Sequence, residues 1–259
     1  MTRPFWKMSG AGNDFVLLAG APRGRAAAAL ARRLCDRRLG IGADGLLIVS
    51  RRGRRVRMDY WNSDGSVSFC GNGARCAALW AAAHGWTAGR RFTIDTARGP
   101  LDAALTESNR AEVLMPAPKN LRLGLTIKVL GKTWTVHYVD TGAPHAVVFV
   151  PAVEKIDVKP LGRALRFHAA FGRAGANVDF VQARKNIFSL RTYERGVEDE
   201  TLACGTGVVA AAVVAQALGK AGGRVKVRVQ GGETLTVSSG AETWLEGPGK
   251  IMFTGEVAL

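Results

Sequence analysis

The chain has 259 residues, 47% of them hydrophobic, enough to bury a large core as one large domain or two of moderate size. Lys and Arg number 36 against 21 Asp and Glu, a net charge of +15 that suits nucleic acid, an acidic membrane surface or anionic small molecules. The four cysteines form no C-x-x-C pair and have no His at ligand spacing, which argues against a structural metal site and against a disulfide-stapled secreted domain.

The N-terminus, Met1-Thr-Arg-Pro-Phe-Trp-Lys-Met, lacks the apolar core of a signal peptide. A strand is predicted at Asp14–Leu18, then a helix from about Arg25 to Arg38, with Ala27, Leu30, Ala31 and Leu34 on one face and Arg on the other. Gly40 and Gly42 end it and turn the chain into a strand at Leu46–Val49. The basic run Arg51-Arg52-Gly53-Arg54-Arg55-Val56-Arg57 lies between this strand and the next, Val56–Trp61. No aromatic is interleaved to stack on bases, so it reads as a solvated hairpin tip, and no nucleic acid is expected as a partner.

The loop Asn62-Ser63-Asp64-Gly65-Ser66 leads to Cys70 and an Ala-rich run, Ala74 to Ala83, followed by strands at Phe92–Thr96, Leu101–Leu105 and Ala111–Met115. Pro116-Ala117-Pro118-Lys119-Asn120 breaks regular structure, and a domain boundary is placed there. Strands follow at Thr133–Val139, Ala146–Val150, Val178–Gln182 and Ser189–Tyr193. Then come the loop Glu194-Arg195-Gly196, Cys204 with the apolar run Val208–Leu218, and strands at Val225–Val229, Thr234–Val237 and Ile251–Phe253. The run Val208–Leu218 is about half of the ~20 residues a membrane span needs, so no membrane is expected, and free thiols suit a reducing compartment, the cytoplasm.

Cys70-Gly71-Asn72-Gly73 and Cys204-Gly205-Thr206-Gly207 are near-identical, and each opens an apolar run. A Cys-Gly-polar-Gly turn before such a run reads as a helix N-terminus with a thiol at its tip, where free N–H groups and the helix dipole favour a negative charge. Two such elements, an echo of Asn13-Asp14-Phe15-Val16 in Asn177-Val178-Asp179-Phe180-Val181, and a tyrosine about ten residues before each cysteine (Tyr60, Tyr193) indicate an internal repeat. The expected fold is α+β: two pseudo-symmetric domains, each a curved, mostly antiparallel sheet wrapped around a central helix, with the active site in the interdomain cleft. The first domain is expected over residues 1–116 plus 254–259 and carries Cys70; the second, over 117–253, carries Cys204. A thiol from each half suits removal of a proton from one face of a carbon and its return to the other.

Six motifs occur in order: Met8-Ser-Gly-Ala-Gly-Asn13-Asp14-Phe15, Gly40-Ile-Gly-Ala-Asp44-Gly45, Asn62-Ser-Asp64-Gly65, Cys70-Gly-Asn72-Gly-Ala-Arg75-Cys76, Asn177-Val-Asp-Phe, and Tyr193-Glu194-Arg195-Gly196 with Cys204-Gly-Thr206-Gly207. Together they closely resemble the diaminopimelate epimerase family, from about residue 5 to the C-terminus. The related proline racemase group usually carries His where Asn72 stands. The resemblance implies interconversion of LL- and meso-diaminopimelate in lysine and peptidoglycan-precursor biosynthesis, without pyridoxal phosphate or any other cofactor, by an enzyme that is commonly a dimer. It implies Cys70 and Cys204 as base and acid, with His145 and Glu194 assisting their proton balance. Gly71, Asn72, Gly205 and Thr206 would hold the α-carboxylate through backbone N–H groups, and Asn13, Asn62, Asn177, Glu194 and Arg195 would bind the rest of the substrate.

Cys35 and Cys76 read as buried small hydrophobes, His145 equally as a structural hydrogen-bonder, and Asn13 and Asn177 equally as turn residues. Two alternatives stay open on the residues alone: a racemase or epimerase of another amino acid, of the histidine, proline or hydroxyproline type, and a non-catalytic protein using its basic surface. Three positions depart from the family pattern. Gly45 stands where Gln is frequent, Ala143 where Asn is frequent, and the stretch from Asn62 to Cys70 is one residue shorter than usual.

Overall fold

The structure, a computed structural model, describes residues 2–20, 22–53, 55–185 and 187–259. The chain divides into two compact units, Met1–Leu114 with Glu246–Leu259, and Met115–Leu245. In the first unit β1 (Thr2–Gly10) and β2 (Asn13–Ala19) form a hairpin, and α1 (Arg25–Cys35) crosses to β3 (Gly45–Arg52). Next come β4 (Arg55–Asn62), the short β5 (Val67–Ser68), α2 (Gly71–Ala83), β6 (Arg91–Thr96), β7 (Gly99–Glu107) and β8 (Arg110–Leu114). β1–β2, β3–β4, β6–β7 and β7–β8 pair antiparallel, while β2–β3 and β4–β6 pair parallel. Parallel neighbours need a crossover, and α1 and α2 supply the two. The C-terminal strand Lys250–Ala258 runs antiparallel along the other side of β1.

The second unit repeats the plan with β9 (Lys119–Val129), β10 (Lys132–Asp140), β11 (Pro144–Phe149), α3 (Val158–Arg166), β12 (Asn177–Ala183), β13 (Phe188–Glu194), β14 (Asp199–Thr201), α4 (Gly205–Ala217), β15 (Arg224–Val229), β16 (Thr234–Ser239) and the first half of β17 (Thr243–Pro248), which the unit boundary divides after Leu245. β10–β11 and β12–β13 are antiparallel, β11–β12 and β13–β15 parallel, and β15–β16 antiparallel, with β9 flanking β10. By these pairings β4 and α2 correspond to β13 and α4. Tyr60 and Tyr193 nevertheless lie on opposite faces: Tyr193 packs in the α3 core, and in the first unit it is Trp61, not Tyr60, that packs against the α1 core. The Asn13/Asn177 echo is not a true repeat either. Asn13 opens β2, whose counterpart is β11, whereas Asn177 opens β12, whose counterpart is β3. Both strands belong to a parallel pair and bury their Phe-Val centres completely, and that shared environment accounts for the shared Phe-Val pattern.

α2 and α4 are apolar on nearly every side because each is enclosed by its own unit; Val208, Val209, Ala210, Ala211, Ala212, Val214 and Ala215 are all fully buried. Each buried valine contributes roughly 1.5 kcal/mol or more. α1 and α3 are instead one-sided: α1 buries Ala27, Leu30, Ala31, Leu34 and Cys35 and leaves Arg25, Arg32 and Arg33 in solvent. α3 lies against β13 through Gly162, where a Cβ would come 2.5 Å from Tyr193 Cβ.

Several elements differ from the sequence reading, among them the short β5 and β14, which fall in stretches read as loops. Lys119–Val129 is a strand where a break was expected: Leu121, Leu123, Leu125, Ile127 and Val129 alternate along it, with Leu121 and Leu123 in solvent and Leu125, Ile127 and Val129 turned to the core. β1, β17 and α3 were not anticipated; α3 contains Pro160 and Gly162, and Pro160 is tolerated because it lies in the first turn, where its missing N–H is not needed. The segment belonging to the first unit begins at Glu246 rather than at residue 254, because the C-terminal strand pairs with β1 from Lys250 onward. The basic run forms the β3–β4 hairpin, Arg52 opposite Arg55, with Arg51 and Arg55 exposed and Arg57 paired to Asp59 at 2.6 Å; Arg54 lies outside the described residues. Among the described residues no helix is long and apolar enough to cross a membrane.

Candidate active site

In the first unit the extended backbone of Cys70 (φ −135°, ψ 114°) makes it the N-cap of α2. Its Sγ accepts the Gly73 N–H at 3.5 Å, and its carbonyl accepts the Ala74 N–H at 2.9 Å, which begins the helical ladder. The N–H groups of Gly71 and Asn72 precede that ladder, at the positive end of the helix, where an anion is favoured. A Cβ at Gly71 would meet no atom within 4 Å, so this approach is open to a ligand.

A directed chain of hydrogen bonds lies behind Cys70. Arg75 Nη2 donates to Asn72 Oδ1 at 2.7 Å, Asn72 Nδ2 to Asn13 Oδ1 at 2.6 Å, and Asn13 Nδ2 to Asp44 Oδ2 at 2.9 Å. Arginine can only donate and an ionised carboxylate only accept, so the orientation of both amides is fixed between them. Asn13 therefore keeps one hydrogen and one lone pair for anything further. The far end is anchored by Arg37, which bridges Asp44 and Asp14 at 2.8 and 2.7 Å, and by Lys7, at 2.7 Å from Asp14 and bonded to the Gly42 carbonyl. Burial raises the Asp14 carboxyl, but hydrogen bonds from Arg37 and Lys7 outweigh it and hold the group at about 2. Asn62 is bonded to its own turn, with Nδ2 donating to Ser66 Oγ at 2.9 Å.

In the second unit Cys204 (φ −121°, ψ 109°) is the N-cap of α4, and the ladder starts with Val208 N–H on the Cys204 carbonyl at 3.0 Å. Gly205 and Thr206 thus correspond to Gly71 and Asn72. Fully buried His145 has Nδ1 2.6 Å from Asp179 Oδ2 and Nε2 2.8 Å from Thr206 Oγ1, which lies 3.4 Å from Cys204 Sγ. Asn177 accepts the Arg195 N–H at 2.8 Å and directs Nδ2 to the Pro144 carbonyl (3.2 Å) and His145 Nε2 (3.4 Å). The half-buried Arg195 guanidinium makes no hydrogen bond or ion pair among the described residues. Glu194 accepts from Thr201 Oγ1 at 2.9 Å.

Burial pushes the Cys204 thiol well above its ordinary value; Glu194 and Asp179 push the same way, and the Thr206 hydrogen bond opposes them. Burial pushes Cys35 and Cys76 up to about 12, which keeps both as inert thiols in the core. Each unit thus gathers its own set: Asn13, Gly71 and Asn72 by the Cys70 end of α2, with Asn62 held in its own turn, and His145, Asn177, Glu194, Arg195, Gly205 and Thr206 around the Cys204 end of α4. The sequence reading missed Asp179 and the internal role of Arg75. Each carried a signal: an acid in the centre of an apolar strand, and a lone cation in an Ala-rich helix.

The departure at Gly45 has a structural cause. A Cβ there would come 2.4 Å from Tyr60 Cε2 and 2.6 Å from the Trp61 carbonyl, so the Tyr60 ring fills the space a longer side chain would need. Gly45→Gln is therefore expected to destabilise the protein by about 2–3 kcal/mol, measured by denaturant unfolding.

The fold defines a class. The structure superimposes over its full length on that of a phenazine biosynthesis protein of the PhzF family from Bacillus anthracis, with a TM-score of 0.77 at 14% identity and complete coverage of both chains. A hydroxyproline epimerase from Agrobacterium vitis matches with a TM-score of 0.73 at 15% identity, covering 100% of this chain and 93% of that one. At sequence level the profile of the diaminopimelate epimerase family matches residues 5–121 and 137–256. A protein named diaminopimelate epimerase from Chlorobaculum tepidum is 38% identical over 262 residues, covering 97% of this chain and all of its own. The chain belongs to the diaminopimelate epimerase family, and is an isomerase acting on a small amino-acid substrate.

Proposed function

We propose that this protein interconverts LL- and meso-diaminopimelate with Cys70 and Cys204 as paired base and acid. The observation that carries the reading is the cysteine at the N-cap of the buried helix in each repeated unit. An amino-acid α-hydrogen is a very weak acid, so the carbanion must be met by preorganised electrostatics. The N–H groups of Gly71, Asn72, Gly205 and Thr206 bind the α-carboxylate as charge develops on it. One thiolate takes the α-proton while the opposite thiol delivers another to the other face, which inverts the centre and leaves the two cysteines with exchanged protonation states.

Arg195, with its uncommitted guanidinium, grips the distal carboxylate, and Asn13 and Asn62 line that end. Asn177 acts by holding the Arg195 backbone and His145, both of which its amide bonds. His145 and Glu194 balance the proton on Cys204. The reading includes a reducing compartment, the cytoplasm, because both thiols must stay unoxidised; the homodimer rests on the family resemblance alone, and nucleic acid has no part in it.

The test is incubation of LL-diaminopimelate in deuterated water. The expected result is formation of the meso isomer with deuterium at the inverted carbon. Exchange in proline or histidine without exchange in diaminopimelate would assign the site to the alternative, a racemase of another amino acid.

A further inference from the structure

We infer that Asp179 is a positioning residue for Cys204: it fixes the tautomer of His145, and the Thr206 hydroxyl then passes the Cys204 proton to that imidazole. The inference deepens the two-thiol reading and rests on it.

Asp179 and His145 are both fully buried, with Oδ2 and Nδ1 2.6 Å apart. The other carboxylate oxygen accepts from Thr192 Oγ1 at 2.7 Å, and a Cβ on Gly207 would come 2.4 Å from it, so the glycine lets the carboxylate lie against the first turn of α4. A carboxylate facing Nδ1 places the neutral imidazole proton there and leaves Nε2 as an acceptor. Asn177 supports the same assignment independently. Its Oδ1 is held by the Arg195 N–H, so Nδ2, a donor, is what faces Nε2.

With Nε2 an acceptor, Thr206 O–H donates to it at 2.8 Å, and the same oxygen accepts from the Cys204 thiol at 3.4 Å. The Thr206 backbone is itself pinned by Thr141 Oγ1 on its carbonyl at 2.9 Å. All donors in the row then point one way, from sulfur to carboxylate. The step balances: the S–H bond breaks as its proton binds Thr206 Oγ1, the original Thr206 proton moves to His145 Nε2, and the products are a thiolate and an imidazolium held by the Asp179 carboxylate. Thr206 is regenerated, and no outside acid or base is consumed. A buried thiol flanked by Glu194 gains in this way a nearby place for its proton. If Glu194 alone served that purpose, the hydroxyl would be dispensable.

The experiment compares Thr206→Val, Thr206→Ser and Asp179→Asn by turnover in both directions and by proton NMR of the imidazole N–H. Thr206→Val keeps shape and backbone but removes the hydroxyl. It is expected to lower kcat about 100-fold with little change in KM in both directions, as the fixed equilibrium between the two isomers requires. Thr206→Ser restores most of that loss. Asp179→Asn lowers kcat by a similar factor and abolishes a far-downfield His145 Nδ1–H resonance that Thr206→Val retains. Undiminished turnover in Thr206→Val, equal loss in Thr206→Ser, or absence of the downfield resonance from the wild-type protein would each overturn the inference. If the wild type fails to epimerise diaminopimelate, the proposed function fails separately. The downfield resonance still tests the tautomer, and the alkylation rate of Cys204 tests the hydroxyl: it should be slowed by Thr206→Val but not by Thr206→Ser.

Discussion

Replacing either cysteine alone, Cys70→Ser or Cys204→Ser, is expected to lower epimerisation at least about 10³-fold while leaving the fold intact. A serine hydroxyl at either N-cap is far too weak an acid and base to replace a thiol at an α-carbon. Inversion needs both faces served in one turnover, so losing one group stops it. The same variants should still release halide from β-halogenated diaminopimelate analogues. Elimination needs only one base, and the leaving group takes the electron pair that would otherwise await a proton. The two variants should accept opposite configurations at the reacting carbon, because each retains a base on one face only. Wild-type epimerisation by both single variants would refute the two-base reading. Elimination of the same configuration by both would refute the assignment of one face to each cysteine.

The repeat was legible because its most constrained element is local: a cysteine, a glycine, a polar residue, a glycine and an apolar run are all that a helix start with an open N-cap requires. The two buried helices and most of the strands flanking them could be read for the same reason. What escaped were elements whose stability comes from partners distant in sequence. β1 is held between β2 and the C-terminal strand, and α3 carries a proline and a glycine that look like breakers until Tyr193 is seen against Gly162; β9, a local hairpin partner of β10 with apolar residues alternating from Leu121 to Val129, was legible by contrast. The Asn13/Asn177 echo misled because periodicity reports environment, and two buried parallel strands share an environment without sharing a place in the repeat.

The candidate site was legible by residue type but not by bond. Asn13 and Asn177 were expected to face the substrate, yet each is largely occupied in holding a neighbour: Asn72 and Asp44 in one case, His145 and the Arg195 backbone in the other. Sequence spacing cannot show this, since an amide presents the same groups to a ligand as to another side chain. Gly45 gives the converse case. Read alone it is a lost donor; in the structure the Tyr60 ring occupies its place.

Arg75 provides the second large expected effect. Its side chain is fully buried on α2, and among the described residues only Nη2 has a hydrogen-bond partner, Nε and Nη1 being buried with none. Desolvation pulls the guanidinium down to about 10, opposed by its attraction to Cys76 and Cys70. A buried cation so poorly satisfied contributes little to stability, and a hydrophobic replacement of similar size is often tolerated or even stabilising. Its position argues for a different use. It is a fixed positive charge near the Cys70 sulfur, and it anchors the row that orients Asn72 and Asn13. Arg75→Met is therefore expected to leave the unfolding free energy within about 1–2 kcal/mol of wild type, since a lost burial penalty offsets the orphaned Asn72 Oδ1. Turnover should fall about 100-fold, through a less accessible Cys70 thiolate and a loosened helix start. The pH dependence carries the sign: without the cation a higher pH is needed to form the thiolate, so the rising limb of kcat/KM should move to higher pH by about one unit. Denaturant unfolding alongside a pH–rate profile decides between the two uses. A variant that unfolds easily but turns over with an unshifted profile would make Arg75 a structural residue with no bearing on Cys70.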